Sequence, residues 1–177
     1  VTYDLASVSA DAEVPAEVLP TIKDIIAAGN ADEASTQGTV VGLYGRGFML
    51  KDETGSLLIY QNAEPTNKLG DVVKVTGKVS QYNGLYQISN CTVEKKSSNA
   101  SFALPAAKEV SEAELKALTS PEFVKFTGKL SINQEKGYYD MVVGETSVSL
   151  SYIQDNLKNN SLDGQTITVS GYYIGTN

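Results

Sequence analysis

The 177-residue chain has no histidine, no tryptophan, one cysteine and one arginine. Without histidine there is no Ser-His or Cys-His nucleophile pair and no imidazole ligand for a metal. Cys91 alone closes no internal disulfide and builds no thiolate zinc site. No apolar run approaches the roughly 20 residues that a membrane-spanning helix needs. The missing tryptophan weakens any glycan-binding reading, because indole is the usual sugar-stacking surface. No Asp-x-Asp-x-Asp calcium loop and no Gly-x-x-x-x-Gly-Lys phosphate cradle occurs.

What is present describes a core-forming protein. Hydrophobic residues make up 41% of the chain and mean hydropathy is −0.16, so the composition is not that of a disordered tail. The length suits two small domains better than one minimal one. Ten tyrosines supply most of the aromatic surface. Charge is uneven: residues 1–33 hold seven acids and one lysine, whereas residues 34–99 hold five acids and seven bases. The overall charge of −7 is therefore concentrated in an acidic amino-terminal arm. A pI near 4.6 argues against wholesale phosphate binding, while the local basic excess at 34–99 leaves room for it there.

The chain begins at Val1 with no charged segment leading into an apolar one, which suggests a removed leader or a domain cut from a longer protein. Three Asn-x-Ser/Thr triplets, at Asn90, Asn99 and Asn159, are expected by chance in a chain this rich in Ser and Asn.

An internal repeat organises the rest. Thr21-Ile22-Lys23-Asp24 and Ser111-Glu112-Ala113-Glu114 both read as helix starts, a hydroxyl followed three residues later by an acid. They lie 90 residues apart, as do Gly38 and Gly128, and Gly47 and Gly137. Gly70 and Gly77 match Gly164 and Gly171 at an offset of 94, so the second copy has gained four residues between its third and fourth strands. In the first copy the pattern predicts a helix through Ile22, Ile25 and Ile26, stopped by Gly29-Asn30. Strands are predicted at 35–44, 46–51, 57–61, 71–80 and 85–94, with turns at Gly45-Arg46-Gly47, Glu53-Thr54-Gly55 and Asn83-Gly84. In the second copy 152–158 reads as helical. The expected organisation is an acidic arm with a short helix at 1–33, a barrel at 34–99, a linker with a short helix at 100–121, and a second barrel at 122–177. The fold class is mainly β, two tandem small barrels each preceded by a short helix.

The run Gly38-x9-Phe48-x-Leu50-x-Asp52-x-Thr54-Gly55, then Leu57-Leu58-Ile59-Tyr60 and Leu69-Gly70-Asp71-Val72-Val73-x-Val75-x-Gly77, resembles the OB-fold nucleic-acid-binding family. It is most similar to the tandem OB-fold domains of bacterial envelope lipoproteins, which implies a secreted or cell-envelope location. The resemblance covers 34–96 well and 122–177 more weakly, where Tyr138-Tyr139-Asp140 stands in place of Phe48-Met49-Leu50. It implies a ligand site on the face of strands two and three, flanked by the first and last hairpin loops.

Alternation then selects the candidates. Phe48, Leu50, Leu57 and Ile59 fit the barrel interior, leaving Met49, Lys51 and Tyr60 on the outer side. The loops add Tyr44 and Arg46 at one end and Tyr82 and Asn83 at the other. Aromatic faces interleaved with cations suit stacking on bases or sugar rings. The primary reading is a non-enzymatic module for single-stranded nucleic acid without a cofactor; the alternative is an envelope scaffold for a protein partner or oligosaccharide. Asp52-Glu53-Thr54-Gly55 is a hairpin turn and not an aspartic-protease motif, since its acid is one residue too far from Thr-Gly. Asp71 after Gly70 is likewise a residue of the turn into the strand.

The carboxyl end completes the pattern. Six residues beyond Gly77 lies the Asn83 turn into a fifth strand, whereas six beyond Gly171 lies Asn177. The second barrel is thus expected to lack its fifth strand and to leave an edge free to pair with another chain. The leading expectation is that the natural protein continues. The others are a strand lent by a neighbouring molecule, or one from residues 1–8, where Val1, Tyr3 and Leu5 alternate.

Overall fold

Two helix-then-strands units follow one another in the computed structural model, which describes residues 15–176. The first opens with helix α1 (Ile22–Ala28) and continues through β1 (Ala31–Tyr44), β2 (Gly47–Lys51), β3 (Ser56–Tyr60), β4 (Asp71–Tyr82) and β5 (Leu85–Ser98). The second contains β6 (Lys108–Glu109), α2 (Glu112–Lys116), β7 (Phe123–Asn133), β8 (Tyr138–Val143), β9 (Thr146–Leu150) and β10 (Thr166–Tyr172).

Both helices start where the hydroxyl–acid spacing places them. Thr21 Oγ1 accepts the Asp24 amide at 3.2 Å, and Asp24 accepts the Thr21 amide at 3.0 Å. Ser111 and Glu114 repeat this exchange at 3.3 and 2.8 Å. Gly29, at φ +79°, ends α1 in a conformation that disfavours a side chain. Each helix is then held to a hairpin by one carboxylate. Asp52, in the β2–β3 turn, accepts the Ile22 amide at 2.8 Å together with the amides of Thr54 and Gly55. Burial is the largest influence on Asp52 and raises its pKa, yet the Ile22, Thr54 and Gly55 donors together hold it below the ordinary value. In the second unit the carboxylate sits on the helix: Glu112 accepts the Thr146 hydroxyl at 2.6 Å and the Glu145 amide at 3.3 Å.

The first unit is a closed barrel of order β1-β2-β3-β5-β4. All its pairings are antiparallel except β3 with β5, where Ile59 faces Ile88 in parallel. That order and the single parallel seam are the OB-fold topology expected from the sequence. Phe48, Leu50, Leu57, Ile59, Val73, Val75 and Ile88 fill the interior, and Ile22 and Ile25 of α1 pack against them. Gln37 to Thr39 pair with β4 and the strand beyond Thr39 pairs with β2, so β1 serves two neighbours.

The second unit has the sheet order β10-β7-β8-β9, with two residues of β6 added in parallel to β7. Its register repeats that of the first: Ala34↔Gly77 becomes Val124↔Gly171, and Gly38↔Val73 becomes Gly128↔Ile167. Among the described residues no fifth strand joins β9 to β10, so this unit is an open sheet. Residues 1–8, one source considered for that strand, lie outside the described residues.

Two local expectations are corrected. The segment 152–158 is not an α-helix. Tyr152 has φ +53°, and two 3-10 turns follow, at Asp155–Leu157 and Asn160–Leu162. Asn159 bonds the Ser161 amide at 3.1 Å, the side-chain competition that breaks regular helix. These turns still direct Leu157 and Leu162 onto the second core. The counterpart of Phe48 is Tyr139, not Tyr138. Val40↔Leu50 matches Leu130↔Met141, and Leu43↔Phe48 gives way to Ile132↔Tyr139, because β1 carries a bulge at Val40–Gly42 that the β7–β8 ladder lacks.

Asp71 ties the barrel's last hairpin shut. It is 3% exposed and accepts the Lys68 amide at 3.0 Å, the Ser98 hydroxyl at 2.8 Å and a 3.0 Å ion pair from Lys95. The Lys68 amide above all, then Ser98 and Lys95, hold its pKa down to about 2 from the ordinary 3.8. A folded value below the unfolded one stabilises the protein above that unfolded value, and this contribution is lost as pH falls through about 4 toward 2. Asp71→Asn is expected to lower the melting temperature at pH 7 and to flatten its decline between pH 4 and pH 2. Circular-dichroism melts across that range check this, and parallel curves for variant and wild type would refute it.

Candidate ligand-binding surface of the first barrel

The outer face of β1, β2 and β3 presents Val41, Met49 and Leu58, and it is not open to solvent. These three residues form a separate buried cluster, covered by Phe102 from the inter-unit segment and by Tyr172 and Ile174 from the end of the second unit. The Tyr172 hydroxyl donates to the Val41 carbonyl at 2.7 Å, and its ring lies against the Gly42 backbone, where a Cβ would sit 2.5 Å from the ring. Phe123 stacks on the same ring with centroids 5.1 Å apart. Burial pushes the Tyr172 phenol pKa up. Met49, expected on the ligand side, does point outward but is only 3% exposed, because the second unit packs over it.

The remaining candidates scatter around this covered centre. Tyr44 donates its hydroxyl to the Ile59 carbonyl at 3.2 Å and meets Tyr152 edge-on at 5.3 Å. These contacts, and its place against the covered cluster, make it a packing residue; burial first, then the neighbouring Tyr152 and Tyr60 hydroxyls, raise its pKa. The Asn83 backbone, at φ +49° in the β4–β5 turn, accepts the Thr176 amide at 2.8 Å and anchors the chain's end. Tyr82 beside it is 58% exposed. Lys51 is exposed at the far end of β2, lining an open groove of about 630 Å³ with Gln37, Thr39, Asp52, Asn99 and Phe102.

One cluster is assembled and accessible. Arg46, in the β1–β2 turn, donates from Nη1 to Asn62 Oδ1 at 2.9 Å and to the Tyr60 hydroxyl at 3.3 Å. Tyr60 donates to the same Asn62 oxygen at 2.9 Å. The Tyr60 hydroxyl is the main reason the Arg46 pKa rises. The geometry is built by the backbone: Gln61 donates its amide to the Arg46 carbonyl at 2.8 Å, extending the β2–β3 ladder by one bond. Asn62 then turns back at φ +56°, a conformation Asn tolerates better than most residues. Sequence reasoning found Arg46 and Tyr60 but missed Asn62; its signal was an Asn directly after an aromatic strand end. It also missed Phe102, Tyr172 and Ile174, the aromatic and aliphatic residues that cover the face. Among the described residues no group of His, Cys, Asp and Glu is placed to hold a metal ion.

No family model and no curated protein matches the chain. Among solved structures it is similar to p202 HIN1 in complex with 12-mer dsDNA, at 14% identity over 86% of this chain and 100% of that one, with a TM-score of 0.42. It is similar to the Ifi202 HINa domain in complex with 20bp dsDNA, at 10% identity over 80% and 97%, with a TM-score of 0.41. It is also similar to a chain of a replication protein A heterotrimer bound to ssDNA, at 10% identity and a TM-score of 0.37. That match covers 75% of this chain and 42% of that chain, so less than half of the latter is represented here. The OB topology of the first unit stands on its own strand order and register.

If the β1–β3 outer face is an internal contact, Met49→Ala should cost about 2–4 kcal/mol of stability, the usual cost of emptying a buried site. Urea unfolding measures this. A change within about 0.5 kcal/mol, as at an open surface, would refute it.

Proposed function

We propose that the chain is a non-enzymatic OB-fold binding module that contacts single-stranded nucleic acid through the rim of its first barrel. The observation carrying this reading is the preassembled Arg46–Tyr60–Asn62 cluster. An aromatic ring and a guanidinium, held together at the loop end of β2 and β3, suit one stacked base and its adjacent phosphate. The cluster lies in the only stretch of the four sequence segments with a basic excess, residues 34–99. Because the centre of the face is covered, the footprint is one or two nucleotides, and binding is correspondingly weak and salt-sensitive. Tyr82, exposed on the β4–β5 turn, offers a second stacking ring. The second reading, a protein partner, is favoured by the net charge of −7 and by strand edges of the second unit that no strand among the described residues pairs.

Titration of labelled oligonucleotides against salt tests the first reading. Tyr60→Ala should cost about 1–3 kcal/mol of binding, the worth of one base stack. Arg46→Ala should reduce the logarithmic salt slope by about one unit. Binding that is unaltered in both variants, or that is absent at low salt, would refute it.

A further inference from the structure

The loops that follow the third strand of each unit converge on Arg46. In the first barrel that loop turns left-handed at Asn62, φ +56°, and supplies the oxygen that holds the guanidinium. In the second, the loop after β9 turns left-handed at Tyr152, φ +53°. Asn adopts this conformation at little cost, because its short amide bonds locally. A bulky aromatic does not, and such strain persists only where the surroundings impose it. The residues gained by the second copy lie in this same connection, and through Tyr152 it reaches the first barrel.

The first barrel holds a seat for the Tyr152 ring. Tyr44, fixed by its bond to the Ile59 carbonyl, meets that ring edge-on, with the two planes at 66°. Gly45 leaves room beside it: a Cβ there would stand 3.3 Å from the Tyr152 ring, closer than ordinary contact. Tyr172, bonded to Val41 on the same strand as Tyr44, keeps the second unit over this end of the barrel. Yet Tyr152 is 54% exposed, so the seat orients the ring without hiding it. The Tyr60 hydroxyl first, and that of Tyr152 after it, raise the Arg46 pKa, so both phenols stand near one guanidinium. Among the described residues that guanidinium bonds through Nη1 alone, which leaves the Nε and Nη2 donors for a ligand.

We propose that Tyr152 is a stacking platform of the rim site, which therefore takes two consecutive nucleotides of a single strand: one base on Tyr60, the next on Tyr152, and the phosphate between them on Arg46. This rests on the reading of the rim as a single-strand site and specifies the unit it takes. Both rings tolerate any sequence, because every base has a π-face. The intervening phosphate accepts the charge-assisted bonds that a guanidinium makes best. A lone base occupies only one of the two platforms. The site is built from both units, and the Tyr172 contact that joins them keeps the platforms in one arrangement.

Anisotropy titration of the full chain with two labelled probes tests the assignment: an oligothymidylate, and the same strand with every second base removed. Wild-type protein should bind the intact strand about tenfold more tightly, the worth of one base stack. Tyr152→Asn removes the ring and relieves the left-handed strain. It should leave the melting temperature level or higher, weaken the intact strand about tenfold and barely alter the alternately abasic one, so that the two probes bind alike. Tyr152→Phe, which keeps the ring, should behave as wild type. Equal binding of both probes by wild-type protein would overturn the proposal. So would an equal loss on both probes in Tyr152→Asn with a lower melting temperature, the mark of a merely structural role. Binding that Tyr60→Ala weakens and Tyr152→Asn does not would overturn the second platform while the single-strand reading stands. No binding of the intact strand at low salt would overturn both.

Discussion

One long strand has to belong to two ladders at once, and a glycine makes that possible. β1 leaves β4 and joins β2 around Gly38, where a Cβ would stand 2.7 Å from the Lys51 carbonyl oxygen. In β7 the equivalent Gly128 would bring a Cβ to 2.6 Å from the Val142 oxygen. Any side chain at either point pushes the second strand away and opens the ladder there. This close approach bends each unit enough to wrap around an apolar interior. It also sets which residues of β2 and β3 face the interior and which face out, and therefore what surface exists for a ligand.

The two units share that device and diverge in how the sheet ends. In the first, the parallel seam of β3 with β5 closes the barrel, and Asp71 fastens the β4–β5 hairpin with an amide, a hydroxyl and an ammonium group. In the second, the described residues beyond β10, 173–176, do not turn back along it. Tyr172 and Ile174 instead join the apolar patch on the first barrel, and Thr176 donates to Asn83. Residues at the end of β10 are thus spent on joining the units. The helix anchors likewise share a geometry and exchange the chemistry: the carboxylate is on the hairpin in one unit, Asp52, and on the helix in the other, Glu112.

This joining decides which outer surface of the first barrel stays accessible. Burying Val41, Met49 and Leu58 together removes apolar surface from water, at about 25 cal/mol per Å², so the contact resists being opened. The accessible chemistry moves to the rim, where Arg46, Tyr60 and Asn62 hold one another in place. A preformed cluster loses little side-chain entropy on binding.

Much of the architecture was legible in the residues. The hydroxyl–acid spacing located both helix starts, the glycines at 38, 77, 128 and 171 carried the repeat, and alternation sorted Phe48, Leu50, Leu57 and Ile59 to the interior. These are local properties: capping, backbone freedom and a two-residue period act within a few residues of themselves. The same period also turned Met49 correctly outward, but it says nothing of what lies beyond the strand. Whether an outward side chain meets water or another unit depends on Phe102, Tyr172 and Ile174, which are 53 to 125 residues away from Met49 along the chain. A bulge at Val40–Gly42 of the first copy, absent from the second, sets the two copies one residue out of step, and Asn62 joined Arg46 through a left-handed turn. The sequence alone determined both capped helix starts, the repeat and the barrel interior, because those follow from short-range chemistry. Tertiary structure alone decided which outer surface stays exposed, because burial there is a property of two units in contact.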